Sequence, residues 1–161
     1  MKIYKISVPY SDDGERNHYV RLYPKKHDKF QASLKTGDPI EMFPELFDGL
    51  PVGDFLGVPF LGFGMKRDLA DELVAISPGA RLIPLVIPSL EGEFVLFKPH
   101  NYLAWGEGMG HMFLMFEVYK KVVVTDVVKA WWDRRGLKGV LFEQVAEIDD
   151  ALFVEAPADW S

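Results

Sequence analysis

Four histidines, His18, His27, His100 and His111, are the side chains of this sequence best suited to hold a metal or to move a proton near neutral pH. None pairs as HxH, HExxH or HxxxH, the spacings that set two imidazoles on one face of a strand or helix. His100 and His111 flank the glycine-rich "HNYLAWGEGMGHM", where they could approach one another, with Glu107 as the single carboxylate between them. "GEGMG" at 106–110 lacks the GxGxxG spacing and leads into a strand instead of a helix, so no helix dipole awaits a phosphate. No GxSxG elbow is present. Ser77 and Ser89 sit beside prolines and Ser161 at the terminus, none with a histidine nearby in sequence. The adjacent Asp149 and Asp150 lie in an acidic stretch with no apolar pocket to raise one pKa for acid–base work. With no cysteine, thiolate nucleophiles, disulfides and cysteine metal sites are excluded. The expectation is a protein with no catalytic residues, no metal and no cofactor.

Charge points elsewhere. The net charge of −6 is unevenly spread. Residues 1–37 hold eight Lys/Arg against Asp12, Asp13, Glu15 and Asp28. Residues 38–65 hold Asp38, Glu41, Glu45, Asp48 and Asp54 with no cation, and beyond Lys138 come Glu143, Glu147, Asp149, Asp150, Glu155 and Asp159, again unrelieved. An acidic chain repels phosphate, so nucleic acid is a poor partner and a basic protein a better one. No apolar run approaches the roughly 20 residues of a membrane span, and "MKIYKISVPY" alternates instead of forming a signal-peptide core. A cytoplasmic protein with no membrane partner is expected.

The elements that would carry these groups follow from periodicity. At 161 residues the chain fits one domain, residues 1–161. "KIYKISV" reads as a period-two strand with one wet face. Residues 9–37 are polar, with weak strand signal at Tyr19–Leu22. Residues 38–64 carry four prolines, with glycines set between aromatic residues, and predict an irregular connection with a helical turn near Glu45. Residues 1–65 are thus a strand followed by an irregular region. From Lys66 the pattern is regular. Leu69, Leu73 and Ile76 share a helical stripe that Ser77-Pro78-Gly79 stops. "RLIPLVI" and "EFVLFKP" are strands, the first with an edge or interruption at Pro84, the second covered on both faces. "FLMFEVY" and "VVVT" are two strands with a tight turn at Lys120–Lys121, or one longer strand. Thr125 can cap a second helix whose apolar stripe takes in Val127, Val128, Trp131 and Trp132, with Arg134 and Arg135 at its end and Gly136 as its stop. Trp131 is core on this reading. Trp132, about 100° further round, stands at the stripe's edge beside Arg135 and is the contact candidate of the pair. "KGVLFEQV" is a strand, and 147–161 an acidic tail. The expected class is α+β: a single domain with an antiparallel-rich sheet packed by two short helices, the regular core spanning 66–146.

The order apolar strand, "VVVTDVVKAWWDRRGLKGVLFEQV", acidic tail resembles the closing segment of a bacterial immunity-protein family, the one numbered eleven among those of polymorphic toxin systems. The residues that carry the likeness are Val124, Thr125, Asp126, Gly136, Gly139 and Phe142. "FGMKRDLADELVAISPGARLIPLVI" is similar to the family's middle helix and strand, and "VLFKPHNYLAW" to the strand after it, so the likeness spans residues 60–146. Most of these residues are caps, turns and core, which speak to fold before function. The resemblance implies a cytoplasmic antidote that binds and neutralises a toxin encoded beside it, with no catalytic residues to carry over. Acids outside the expected strands, Asp38, Glu41, Glu45, Asp48, Asp149, Asp150 and Glu155, with Trp105 and Trp132 as apolar anchors, form the expected partner-binding set. Two other readings stand beside it: a small enzyme or ligand-binding domain using His100, His111 and the loop between them, and a homo-oligomer docking through the aromatic 38–64 stretch.

Overall fold

The computed structural model describes residues 1–7, 19–44, 51–58, 62–102, 110–115 and 121–152, with the backbone alone at 100–102, 113–115, 121 and 152. Eleven strands and three α-helices are formed by these residues, giving an α+β protein. In chain order they are β1 (Lys2–Ser7), β2 (Leu22–Pro24), α1 (His27–Thr36), β3 (Ile40–Pro44), β4 (Phe55–Val58), β5 (Gly62–Lys66), α2 (Arg67–Ile76), β6 (Arg81–Val86), β7 (Phe94–Lys98), β8 (His100–Tyr102), β9 (Met112–Met115), β10 (Lys121–Thr125), α3 (Asp126–Arg135) and β11 (Leu141–Glu147). No helix is long and apolar enough to cross a membrane among the described residues.

The strands make two sheets where one was expected. The first runs β11-β1-β10-β9-β8 and the second β2-β3-β6-β7-β5-β4. The second bends until its two ends meet. Arg21, just before β2, bridges Gly57 of β4, and Val20 donates its N–H to Pro51 O at 3.1 Å. Inside this barrel-like sheet lie Leu22, Ile40, Met42, Leu56, Ile83, Leu85 and Leu96, and α1 lays Phe30 and Leu34 onto them. Gly64 of β5 makes the closure fit, because a Cβ there would stand 2.8 Å from Leu22 Cδ1 and 3.1 Å from Leu85 Cδ1. The other face of β4, β5 and β7 (Phe55, Phe63, Met65, Val95, Phe97) packs with α2, α3 and the inner face of the first sheet (Ile6, Met112, Val122, Val124) into a second core.

The helix and strand expectations from Lys66 onward are met. α2 buries Leu69, Ala70 and Leu73 and stops at Ser77, whose N–H returns to Leu73 O at 2.7 Å. β7 is buried from Phe94 to Phe97. β6 gains its β3 partner only at Leu85 and Val86, so Pro84 lies where β7 is its one neighbour, the interrupted edge that a residue without an N–H requires. β9 and β10 are two antiparallel strands, and the turn at Lys120 lies outside the described residues.

The N-terminal third departs from expectation. Residues 27–36 form a third helix with Phe30, Ser33 and Leu34 on its buried side and Gly37 at φ 82° ending it. Residues 40–44, 55–58 and 62–66 are strands of the barrel. They escape a proline-and-glycine reading because they are short and Pro39 and Pro44 fall at a strand start and end, positions that require no ladder N–H. The helical turn placed near Glu45 lies outside the described residues. β1 has no wet face at its centre. Ile3 and Ile6 are on opposite faces and both are buried, Ile6 in the second core, while Lys5 between them is only half-buried.

Candidate functional site

α3 answers for the tryptophans. Its buried residues are Val128, Trp131 and Trp132, spaced i, i+3, i+4, which turns Val127 outward to 41% exposure. Trp132 is 4% exposed; its ring lies 4.6 Å from Phe55, edge-on, and 5.9 Å from Phe142. It is therefore core and not a partner anchor, because the apolar face of α3 is centred one step further round than Val127 suggested. Trp131 is buried as well, and its Nε1–H donates to Glu72 Oε2, which also accepts from Arg135 Nε, both at 3.0 Å. Thr125 stands at the N-cap of α3 with extended backbone but does not cap with its side chain; its hydroxyl is 2.8 Å from His111 Nδ1. That contact occupies one of the two histidines proposed for the loop site. The loop residues 103–109 and Trp105 lie outside the described residues, as do Glu45, Asp48 and Glu155. No group of three or more His, Asp or Glu is arranged to hold a metal among the described residues.

The remaining expected contacts, Asp38, Glu41, Asp149 and Asp150, fall into two regions, each exposed. Asp149 and Asp150 follow β11, the outer strand of the first sheet, which pairs only with β1 among the described residues. Glu143 and Glu147 are exposed on the same strand, and Leu141 at its head is 54% exposed. Two cations temper this acidic edge. Lys5 Nζ meets Glu143 at 2.6 Å, and the Met1 ammonium meets Asp150 Oδ1 at 2.7 Å while donating to Ile148 O at 2.7 Å. The hydrogen bond to Asp150 holds the Met1 ammonium above its ordinary pKa, helped by the charges of Asp150, Asp126 and Glu147.

Asp38 and Glu41 lie elsewhere, on the far wall of a cleft of about 350 Å³ between α1 and β3. The near wall belongs to α1 and its approach: Lys25, Lys26, Lys29 and Ser33. Lys25 Nζ pairs with Glu41 Oε1 at 3.4 Å, and the Thr36 hydroxyl donates to Asp38 Oδ2 at 2.9 Å. Beyond Glu41 the outer face of β3 shows Phe43, 49% exposed against Tyr23, and β6 shows Val86, 47% exposed and in register with Glu41. The lysines and these apolar residues were not expected in a site. The signal for the lysines was in the sequence, as the basic "KKHDK" of an otherwise acidic chain. Nothing in the sequence brought 25–29 to 38–41, since that needs α1 to fold back on β3.

No family model matches this chain, and no curated protein matches it.

Proposed function

We propose that this chain is an immunity protein that binds a basic protein toxin in the cytoplasm and neutralises it by occupation, without chemistry of its own. The observation that carries the reading is the β11 edge. Four exposed carboxylates, Glu143 and Glu147 on β11 and Asp149 and Asp150 just after it, follow a strand that is outermost among the described residues and is headed by the exposed Leu141. Such an arrangement attracts a cationic surface over a distance set by salt, which raises encounter rate and selects partner by charge. Leu141 supplies apolar area to bury on contact, and the outward backbone of β11 can take main-chain hydrogen bonds from an extended segment of the partner. The resemblance of residues 60–146 to an immunity family supports the same reading.

The test is co-purification of the chain with the product of the neighbouring gene, followed by growth rescue of cells expressing that product. Stable association and rescue are expected, both lost on reversing the four carboxylates to lysine. A neighbouring toxin that the chain neither binds nor counters would remove the proposal.

A further inference from the structure

The cleft between α1 and β3 carries features that toxin capture by β11 leaves unused. Three lysines line it in a chain of net charge −6. Lys25 is tied to Glu41, whereas Lys26 and Lys29 have no ionic partner among the described residues. Lys26 at the N-cap and Lys29 in the first turn of α1 both line the cleft. The helix end between them is uncapped, with Asp28 the one acid of its first turn. Lys26 occupies the N-cap with extended backbone and no side-chain cap, and the first helical N–H to find an acceptor is that of Phe30, to Lys26 O at 3.0 Å. Among the described residues the N–H groups of His27, Asp28 and Lys29 find no acceptor and can serve a ligand, at the positive end of the helix dipole. One turn further along the same wall is Ser33, 8% exposed, whose hydroxyl makes no hydrogen bond among the described residues. A buried hydroxyl without a partner is uncommon, and one lining a cleft is placed to bond whatever enters. Across the cleft Glu41 is already held by Lys25, while Asp38, beside Thr36 past the end of α1, accepts hydrogen bonds and repels a second anion.

We infer that this cleft binds a small phosphate monoester bearing free hydroxyls, its phosphate on Lys26, Lys29 and the open N-terminus of α1, its hydroxyls against Ser33 and Asp38. A volume of about 350 Å³ suits a molecule the size of a sugar phosphate or the ribose phosphate of a mononucleotide. Asp38 excludes a polyphosphate or a nucleic-acid backbone, whose next phosphate would meet it. Toxin binding on β11 uses other residues, so each reading can fail while the other stands.

The experiment is a titration of the ¹⁵N-labelled full chain at low ionic strength with inorganic phosphate, ribose, ribose 5-phosphate and adenosine monophosphate. Saturable amide shifts confined to residues 25–41 are expected with the two phosphate esters, and none with ribose. The Lys26→Ala/Lys29→Ala pair should weaken ester binding at least about tenfold, as loss of charge-assisted hydrogen bonds does. Ser33→Ala should weaken it about fivefold, with the rest of the spectrum unchanged. Tighter binding of one ester than the other identifies the sugar phosphate or the nucleotide as the physiological class. Absence of saturable shifts, or shifts that persist in the double lysine variant, would overturn the inference. So would inorganic phosphate binding as tightly as the esters, which would mean an adventitious ion only.

Discussion

The β11 edge and the α1–β3 cleft are both built on exposed carboxylates, yet their neighbours give them opposite characters. At the edge, Glu143, Glu147, Asp149 and Asp150 face Lys5 and the Met1 ammonium, and acid remains in excess. In the cleft, Asp38 and Glu41 face Lys25, Lys26 and Lys29, and base prevails. The first surface is open and runs along a strand; the second is concave and lies against a helix N-terminus. Chain-wide charge therefore describes only the first. A site's sign is set within about a Debye length, near 10 Å at moderate salt, by whichever residues the fold brings together.

The hardest blow to both regions at once is Trp132→Ala. Trp132 touches Phe55 of the barrel and Phe142 of β11, so its removal should lower stability by about 3–5 kcal/mol, read from the urea midpoint. A loss under about 1 kcal/mol would show that the two halves do not share a core there. Separating the regions comes next. Reversing Glu143, Glu147, Asp149 and Asp150 to lysine should slow association with a basic toxin at least about tenfold and flatten its salt dependence, while Lys26→Ala/Lys29→Ala leaves that rate unchanged. Stopped-flow mixing at several salt concentrations measures both.

A finer comparison sits at the two helix stops. Gly136 after α3 has φ 62° and open space around its Cβ position, so Gly136→Ala should cost about 1 kcal/mol of conformational strain alone. Gly37 after α1 has φ 82°, and a Cβ there would also press on Arg81 Nη2 at 3.3 Å, whose guanidinium donates to Leu34 O. Gly37→Ala should therefore cost more than Gly136→Ala in the same denaturation experiment and disturb the cleft. The smallest effect is that of pH at the edge. A group whose pKa rises on folding stabilises fully below its unfolded value, 8.0 for the Met1 ammonium, and the contribution fades as pH climbs past the raised folded value. The wild-type chain should thus lose stability on passing from neutral to alkaline pH by more than Asp150→Asn does, and equal losses would dismiss the contact.

Legibility followed the distance between partners along the chain. α2, α3, β6, β7 and β11 were readable because their patterns are local: Leu69 with Leu73, Val128 with Trp132, Gly136 as a stop. α1 carried the same kind of signal in Phe30, Leu34 and Gly37, masked by its polar exposed face. The barrel strands were hidden for a different reason. Phe55, Phe63 and Leu56 are apolar on both parities, and glycines such as Gly64 report a close approach by Leu22 that no neighbour in sequence reveals. Of the expected contact residues, Asp38, Glu41, Asp149 and Asp150 were recognisable as surface by charge alone, whereas Trp132 depended on which side of α3 met Phe55.

By itself the sequence determined which residues avoid water, where helices α2 and α3 stop, and that six acids after Lys138 run on without a cation. Those are properties of side-chain transfer and local backbone sterics, complete within a few residues. Tertiary structure alone decided that Lys26 and Ser33 share a cleft with Asp38, that the second sheet closes on itself, and that Trp132 is inside. Each of those depends on contacts made only once remote segments pack, and packing selects among the many arrangements that local preference permits.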